Sequence, residues 1–309
     1  MPVPGPNEVL VRIMASTVSA ADSRVRALRV PRGMAGMARL ALGLHGPRLR
    51  VLGTELAGVI EATGARVTRF AVGDRVLGFP GADFGCHAEY RAMADGDELV
   101  AMPAGLSFEE AASLPFGAMS ALHFLRAGAV QPGERMLVVG ASGAVGSALV
   151  QLGRVFGAEV TGVTSTGNLD LVAGLGATRV IDYTATDILR GGEHFDIVAD
   201  MVGAIGFARY RHVLRPRGRM LAVAAELPDM LAMAWAPFWG MRVFAGPATT
   251  KPGDMAQVAA WAAQAVLRPV IDGCYAMAEI VAAHAYVDSR AGSVSRYSVS
   301  VPISGSPAG

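Results

Sequence analysis

Met136-Leu-Val-Val-Gly140-Ala-Ser-Gly143-Ala-Val-Gly146 is an apolar run that stops at a glycine and continues with a glycine at every third position. A helical pattern follows, with Ala148, Leu149, Leu152, Val155 and Phe156 apolar. The stretch reads as a strand, a tight turn and a helix start. Glycines let the chain turn sharply and let an anion approach the helix N-terminus, where free N–H groups and the helix dipole favour negative charge. With a strand before and a helix after, the spacing points to a dinucleotide whose pyrophosphate sits on Ser142, Gly143, Ala144, Val145 and Gly146. The alternative is a plain loop in a glycine-rich chain, and both flanking elements weigh against it.

The next strand, over 159–163, sharpens the expected cofactor. A unit specific for NAD usually ends this strand in Asp or Glu, which binds the ribose 2′-hydroxyl. Here the end reads Thr164-Ser165-Thr166-Gly167-Asn168, without an acid. Small hydroxyl and amide groups leave room for a 2′-phosphate and can donate hydrogen bonds to it, with Arg179 or Tyr183 adding contacts. NADP(H) is therefore expected over NAD(H). The competing reading is that these are only turn formers, as Ser, Thr, Gly and Asn often are.

Composition bounds the rest. A chain of 309 residues is long enough for two ordinary domains, and a net charge of +1 points to no nucleic-acid partner. An apolar fraction of 52% is high, but no stretch reads as a membrane span and no signal peptide is evident, since the N-terminus lacks an apolar core behind a basic start. Two cysteines, Cys86 and Cys274, make no disulfide framework. A reduced cytoplasmic compartment is the default.

Along the chain, 8–104 reads as β-rich, with short strands over 8–13, 58–62, 74–79, 88–92 and 98–102 suggesting a small barrel-like domain. Ser107-Phe-Glu-Glu110 is a capping-box pattern that marks a helix start. From 135 to about 267, strands over 136–139, 160–163, 180–183, 196–200, 219–224 and 242–245 alternate with helices, which implies a parallel, doubly wound sheet. A helix over 253–267, a strand over 269–272, a helix over 278–289 and a strand over 297–301 follow. These last strands fall outside the sheet's rhythm and are expected to return to the first domain, and 304–309 is expected to fray.

Several landmarks occur together in order. They are Val9-Leu-Val-Arg-Ile13, Ser16-Thr-Val-Ser-Ala-Ala-Asp22, Leu52-Gly-Thr-Glu-Leu-Ala-Gly-Val59, Gly73-Asp-Arg-Val76, Gly85-Cys-His-Ala-Glu-Tyr90, the 138–146 turn, Gly176-Ala-Thr-Arg-Val-Ile-Asp-Tyr183 and Leu267-Arg-Pro-Val-Ile-Asp272. Together they resemble the medium-chain dehydrogenase/reductase superfamily, in its zinc-independent quinone-oxidoreductase-like branch. The resemblance implies an α/β chain with a GroES-like β-rich catalytic domain (1–104, returning over 268–309) interrupted by a Rossmann domain (105–267), and an active site in the cleft between them. It also implies a possible homodimer joined through the edge strand at 242–245. Zinc-dependent members carry a Cys near position 19 and a His in a GHE motif. This chain has Ser19 and Thr54 there, so no metal site is expected.

The resemblance then implies an NADPH-dependent, zinc-independent oxidoreductase that passes hydride to a quinone or an α,β-unsaturated carbonyl. The alternatives are a zinc-free NADP-dependent alcohol or aldehyde oxidoreductase, and a non-catalytic NADPH-binding protein. Ser19 replaces the family's Asn near the nicotinamide, Ser120 stands where many members have Thr, and Asp22 matches the family's Asp, with bracing the loop as its equal alternative. Tyr90, His45, His87 and His123 are weaker proton-donor candidates beside water. Two departures stand out. Family members carry further strands ahead of the segment at 2–13, so either the start is misassigned or the barrel lacks its first strands, whose exposed edges would invite association. The segment 24–50 holds seven arginines and no acid, which reads as a solvated cap over the active site in preference to a membrane-binding patch.

Overall fold

A computed structural model describes residues 1–27, 51–96, 98–203 and 205–289, with the backbone of a further strand over 298–302. Most of the arginine-rich segment, His45 and the expected frayed end therefore lie outside the described residues.

The chain opens with β1 (Glu8–Val18), whose inward positions are apolar and buried. Ser19 then starts α1 (Ala20–Arg26) with a reciprocal capping box, its hydroxyl accepting from the first turn while Asp22 accepts from the Ser19 backbone. β2 (Leu56–Thr63), β3 (Arg75–Gly78), β4 (Tyr90–Ala94) and β5 (Leu99–Ala101) follow. β1 pairs antiparallel with β2 and β4, and β2–β3–β5 continue the sheet. Val9, Val11, Ile13, Leu56 and Ile60 fill this sheet's own core.

The Ser107 capping box holds as read, with Glu110 closing α2 (Phe108–Ala112). Pro115 sits in the first turn of α3 (Pro115–Ala127), where a missing N–H costs nothing. Next come β6 (Arg135–Val139), α4 (Ala144–Val155), β7 (Glu159–Thr164), α5 (Leu169–Gly174), β8 (Arg179–Asp182), β9 (Phe195–Asp200), α6 (Phe207–Tyr210), β10 (Leu214–Ala222), α7 (Leu227–Trp235), β11 (Arg242–Ala245) and α8 (Asp254–Ala263). The six strands β6–β11 form one parallel sheet in the order β11-β10-β9-β6-β7-β8. Within β6, Met136 and Val138 enter one buried cluster and Leu137 and Val139 the other, so both faces are covered.

The expected helix between β8 and β9 is absent. That connection is built of turns nucleated by carboxylates, with Thr184 N–H on Asp182 Oδ1 at 2.9 Å and Leu189 N–H on Asp187 Oδ1 at 2.9 Å.

After β12 (Ile271–Cys274) and α9 (Ile280–Ser289), β13 (Ser298–Pro302) pairs antiparallel with β1 and parallel with β12. The last strands do return to the first sheet. The larger buried cluster joins Ala15, Ala57 and Leu77 of that sheet to Leu122, Leu149 and Val138, so one continuous core holds the two sheets across the cleft. No described helix is long and apolar enough to cross a membrane.

Candidate active site

In an open parallel sheet, ligands bind beyond the carboxyl ends of the strands, where the strand order reverses. Here that point lies between β6 and β9. Gly140 ends β6 with φ +85°, a backbone conformation that side chains disfavour. Gly143 caps α4 with no side chain over its first N–H groups. A Cβ at Gly146 would lie 2.0 Å from the Gly140 carbonyl oxygen, so only glycine lets the helix start pass this close to the turn. A cleft of about 130 Å³ opens over these residues, lined also by Ser19, Arg24, Phe116, Val202 and Ala224. An uncapped helix N-terminus, a turn too tight for any side chain and a cation from α1 together fit a dinucleotide's pyrophosphate.

The far rim differs in part from the sequence reading. Ser142 and Thr164 are both fully buried, and the Thr164 hydroxyl donates to Ser142 Oγ at 2.8 Å. They brace the turn from within and offer no hydroxyl to the rim. Ser165, Thr166 and Asn168 do line up beyond β7, with Asn168 Nδ2 donating to Ser165 Oγ at 3.0 Å. Tyr183 follows β8, its N–H on the Thr164 carbonyl at 3.1 Å. Arg179 is taken up in an ion pair with Glu193, which corrects the expectation that it reaches a 2′-phosphate.

An acid stands at this rim after all. Parallel pairing sets Asp182 directly beside Thr164, and its carboxylate accepts from Thr166 Oγ1 at 2.6 Å and from Thr184 Oγ1 at 2.7 Å. Those hydroxyls hold Asp182 below the usual carboxylate range, so it is charged at neutral pH. No acid ends β7 in the sequence; Asp182 comes beside that end only through the register of β8 with β7.

A second cavity, of about 650 Å³, adjoins the first and shares Ala21, Phe116 and Val223 with it. Its walls include Phe79, Phe84, Phe124 and Met119, with Thr54, Ser120, Thr249, Thr250 and the carboxylate Glu98 as polar groups.

Ser19 and Asp22 come together at the mouth of the first cleft. The Ser19 hydroxyl and N–H both donate to Asp22 Oδ2, at 2.7 and 2.9 Å, and Asp22 Oδ1 accepts from Gly53 N–H at 2.9 Å. Fully buried, with both oxygens engaged, Asp22 braces the loop. Ser120 lies apart from this pair, in the wall of the aromatic cavity. His87, His123 and Tyr90 line neither cavity. His87 Nε2 meets the Thr17 carbonyl at 2.8 Å, and His123 Nδ1 accepts from Thr249 N–H at 3.2 Å.

Beneath both cavities lies Glu55, fully buried. One carboxyl oxygen meets the Thr17 hydroxyl and the other accepts from Phe116 N–H at 2.6 Å. Burial, opposed by these two hydrogen bonds and reinforced by Asp22, pushes its pKa up to about 8. Among the described residues no group of His, Cys, Asp or Glu side chains is placed to hold a metal ion, and Cys86 and Cys274 are both free.

Comparison with known proteins agrees with this architecture. Residues 5–120 match the family model described as alcohol dehydrogenase GroES-like domain, and 175–292 match one described as zinc-binding dehydrogenase. The chain is 30% identical over 246 residues to a chloroplastic quinone-oxidoreductase homologue of Spinacia oleracea, covering 76% of this chain and 71% of that protein. It is 35% identical over 207 residues to 2-methylene-furan-3-one reductase of Solanum lycopersicum, covering 64% of this chain and 50% of that protein. Several curated relatives are thus matched over only about half their length. The solved quinone oxidoreductase of Coxiella burnetii superposes with a TM-score of 0.84 at 24% identity, over 98% of this chain and 93% of that one. The chain belongs to the medium-chain dehydrogenase/reductase superfamily, in its quinone-oxidoreductase-like branch.

Proposed function

We propose that this chain is an NADPH-dependent, zinc-independent reductase of quinones or α,β-unsaturated carbonyls. The observation that carries the reading is the junction of the two cavities, where the glycine-turn cleft meets an aromatic-walled pocket at Ala21, Phe116 and Val223. The names of the spinach and tomato relatives support the same acceptor class.

When bound, a reduced nicotinamide supplies the hydride. The chain's own residues then have three tasks. The Gly143–Gly146 backbone and Arg24 hold the pyrophosphate. Ser120 offers a hydroxyl in the wall of the acceptor cavity, while Ser19, bound to Asp22, holds the loop beside the junction. Phe79, Phe84, Phe116 and Phe124 favour a flat, apolar acceptor and keep water out. An enone gains hydride at its β-carbon, its C=C electrons move onto oxygen, and water protonates the α-carbon. A quinone leaves as the hydroquinone by the same count.

The cofactor's phosphorylation state has two readings. Ser165, Thr166 and Asn168, with no acid closing β7, support NADPH. Asp182 favours NADH as the second reading, since a charged carboxylate suits a ribose diol better than a phosphate. Free Cys86 and Cys274 support a reducing compartment such as the cytoplasm. A homodimer is supported by β11 standing at the sheet edge beside exposed Phe238 and Trp239.

The test is oxidation of NADPH and NADH by the purified chain against a panel of quinones and enones, with alcohols in the reverse direction. Turnover with quinones or enones alone is expected. Turnover with alcohols alone, or nucleotide binding without any turnover, would overturn the reading.

A further inference from the structure

We propose that the Thr54 hydroxyl is the hydrogen-bond donor to the acceptor's carbonyl oxygen, so that it stabilises the negative charge that gathers there as hydride adds. The inference rests on the reductase reading and adds to it a residue that touches substrate.

Thr54 is 4% exposed and lies in the wall of the aromatic cavity, whose other members include Phe116 and Ser120. Its Oγ1 is buried and has no hydrogen-bond partner among the described residues. Leaving a buried hydroxyl unmatched is costly, so such a group is expected where a ligand completes it.

Everything around that hydroxyl is fixed. Gly53 N–H is held by Asp22 Oδ1 at 2.9 Å, and Gly53 C=O accepts from Cys86 N–H at 3.2 Å. Thr54 C=O accepts from Gly81 N–H at 3.2 Å, and Glu55 C=O accepts from Ser16 Oγ at 2.8 Å. Gly53 itself sits at φ +90°, and a Cβ there would lie 2.7 Å from the His87 backbone nitrogen. The backbone of 53–55 is therefore held in place, and Thr54 keeps its position in the cavity wall. A donor carried on a fixed backbone in the wall of the acceptor cavity can meet developing charge with little reorganisation at the moment of reaction. A hydroxyl can donate or accept, but a ketone or quinone oxygen only accepts, which sets the direction. The hydroxyl keeps its proton throughout, and water supplies the final proton, to the α-carbon of an enone or to the oxygen of a hydroquinone.

The test compares the full-length wild type with Thr54→Val, which keeps the shape, and Thr54→Ser, which keeps the hydroxyl. Two readouts are taken. The first is kcat/KM for 1,4-benzoquinone with NADPH, together with the NADPH Kd as a control for an intact fold and cofactor site. The second is the infrared carbonyl stretch of 2-cyclohexen-1-one bound beside NADP⁺, which needs no turnover. Thr54→Val is expected to lower kcat/KM by about 10²-fold with unchanged NADPH Kd, and to abolish a downward shift of the carbonyl stretch seen in the wild type. Thr54→Ser is expected to restore both. Wild-type values of both in Thr54→Val would overturn the assignment. A Thr54-dependent carbonyl shift without wild-type turnover would uphold Thr54 as the carbonyl donor and overturn the reductase reading. Neither shift nor turnover in the wild type would overturn both.

Discussion

Phe116 N–H donates to Glu55 Oε2 at 2.6 Å, and so ties the first turn of α3 to the strand-rich half of the molecule beneath both cavities. Burial pushes that acid from its ordinary value of 4.5 up to about 8. Between those two values the folded chain holds a proton that the unfolded chain has released. Stability is then greatest at the acid end of this window and falls as pH rises, by about 1.4 kcal/mol per pH unit, until the folded acid also ionises. Glu55→Gln keeps a neutral group able to serve Thr17 and Phe116, and its urea midpoint is expected to lose this fall between pH 5 and 8. A wild-type slope in the variant would refute the assignment.

Gly146→Ala should fold poorly or shift the turn, because its Cβ would meet the Gly140 carbonyl oxygen at 2.0 Å. Overpacking of this kind costs about 1–3 kcal/mol. The expected result is a lower Tm and loss of nucleotide binding by fluorescence titration. Binding at wild-type affinity would place the pyrophosphate elsewhere.

Asp182→Asn decides between the two cofactor readings. Removal of the charge should tighten NADPH binding relative to NADH by about 10-fold, the ratio that 1.4 kcal/mol provides. A change confined to NADH, in the direction of weaker binding, would instead mark Asp182 as a ribose ligand. An unchanged ratio would remove Asp182 from the cofactor rim altogether.

Arg24 of α1 lines the glycine-turn cleft and lies within electrostatic reach of Glu226. A hydrogen bond to a charged group is worth about 1.5–3 kcal/mol. Arg24→Gln is accordingly expected to weaken NADPH binding by about 10- to 100-fold and to flatten its salt dependence. Calorimetric titration at two ionic strengths measures both, and unaltered values would leave the pyrophosphate to the helix N-terminus alone.

Phe238 and Trp239 are 89% and 56% exposed, just ahead of the edge strand β11, with Arg211 stacked over the Trp239 ring at 4.4 Å. A second copy laid against this edge would cover them. Light scattering should then report a dimer for the wild type and a monomer with unchanged Tm for Trp239→Glu. A monomeric wild type would end the proposal.

The parts legible in the sequence were those written in local chemistry. The Gly140–Gly146 spacing marked the crossover, Ser107 and Glu110 marked a helix start, and apolar runs bounded by turns marked β6 to β11. The parts that escaped depend on what lies beside a residue once strands align. Asp182 reaches the cofactor rim only because β8 runs in register with β7. Thr164 looked like a rim hydroxyl but turns inward to Ser142. The alternation rule predicts a helix between β8 and β9, but Asp182 and Asp187 hold their neighbours in turns. Thr54 entered the sequence reading only as an absent zinc ligand. Its place in the cavity wall follows from Gly53, Gly81 and Asp22 fixing its backbone.

The pairing of Ala15 with Pro302 in β1 and β13 bears on how the molecule is born. The parallel sheet is encoded in one continuous span, so it can collapse as soon as that span clears the ribosome. β1 precedes the parallel sheet in the chain and its partner β13 follows it, and closing so large a loop is slow. Until β13 is made, the Ala15–Val18 part of β1 lacks that partner, while Glu8–Arg12 already has β4. The glycine-turn cleft, which Ser19 and Arg24 of the waiting half also line, is then completed late.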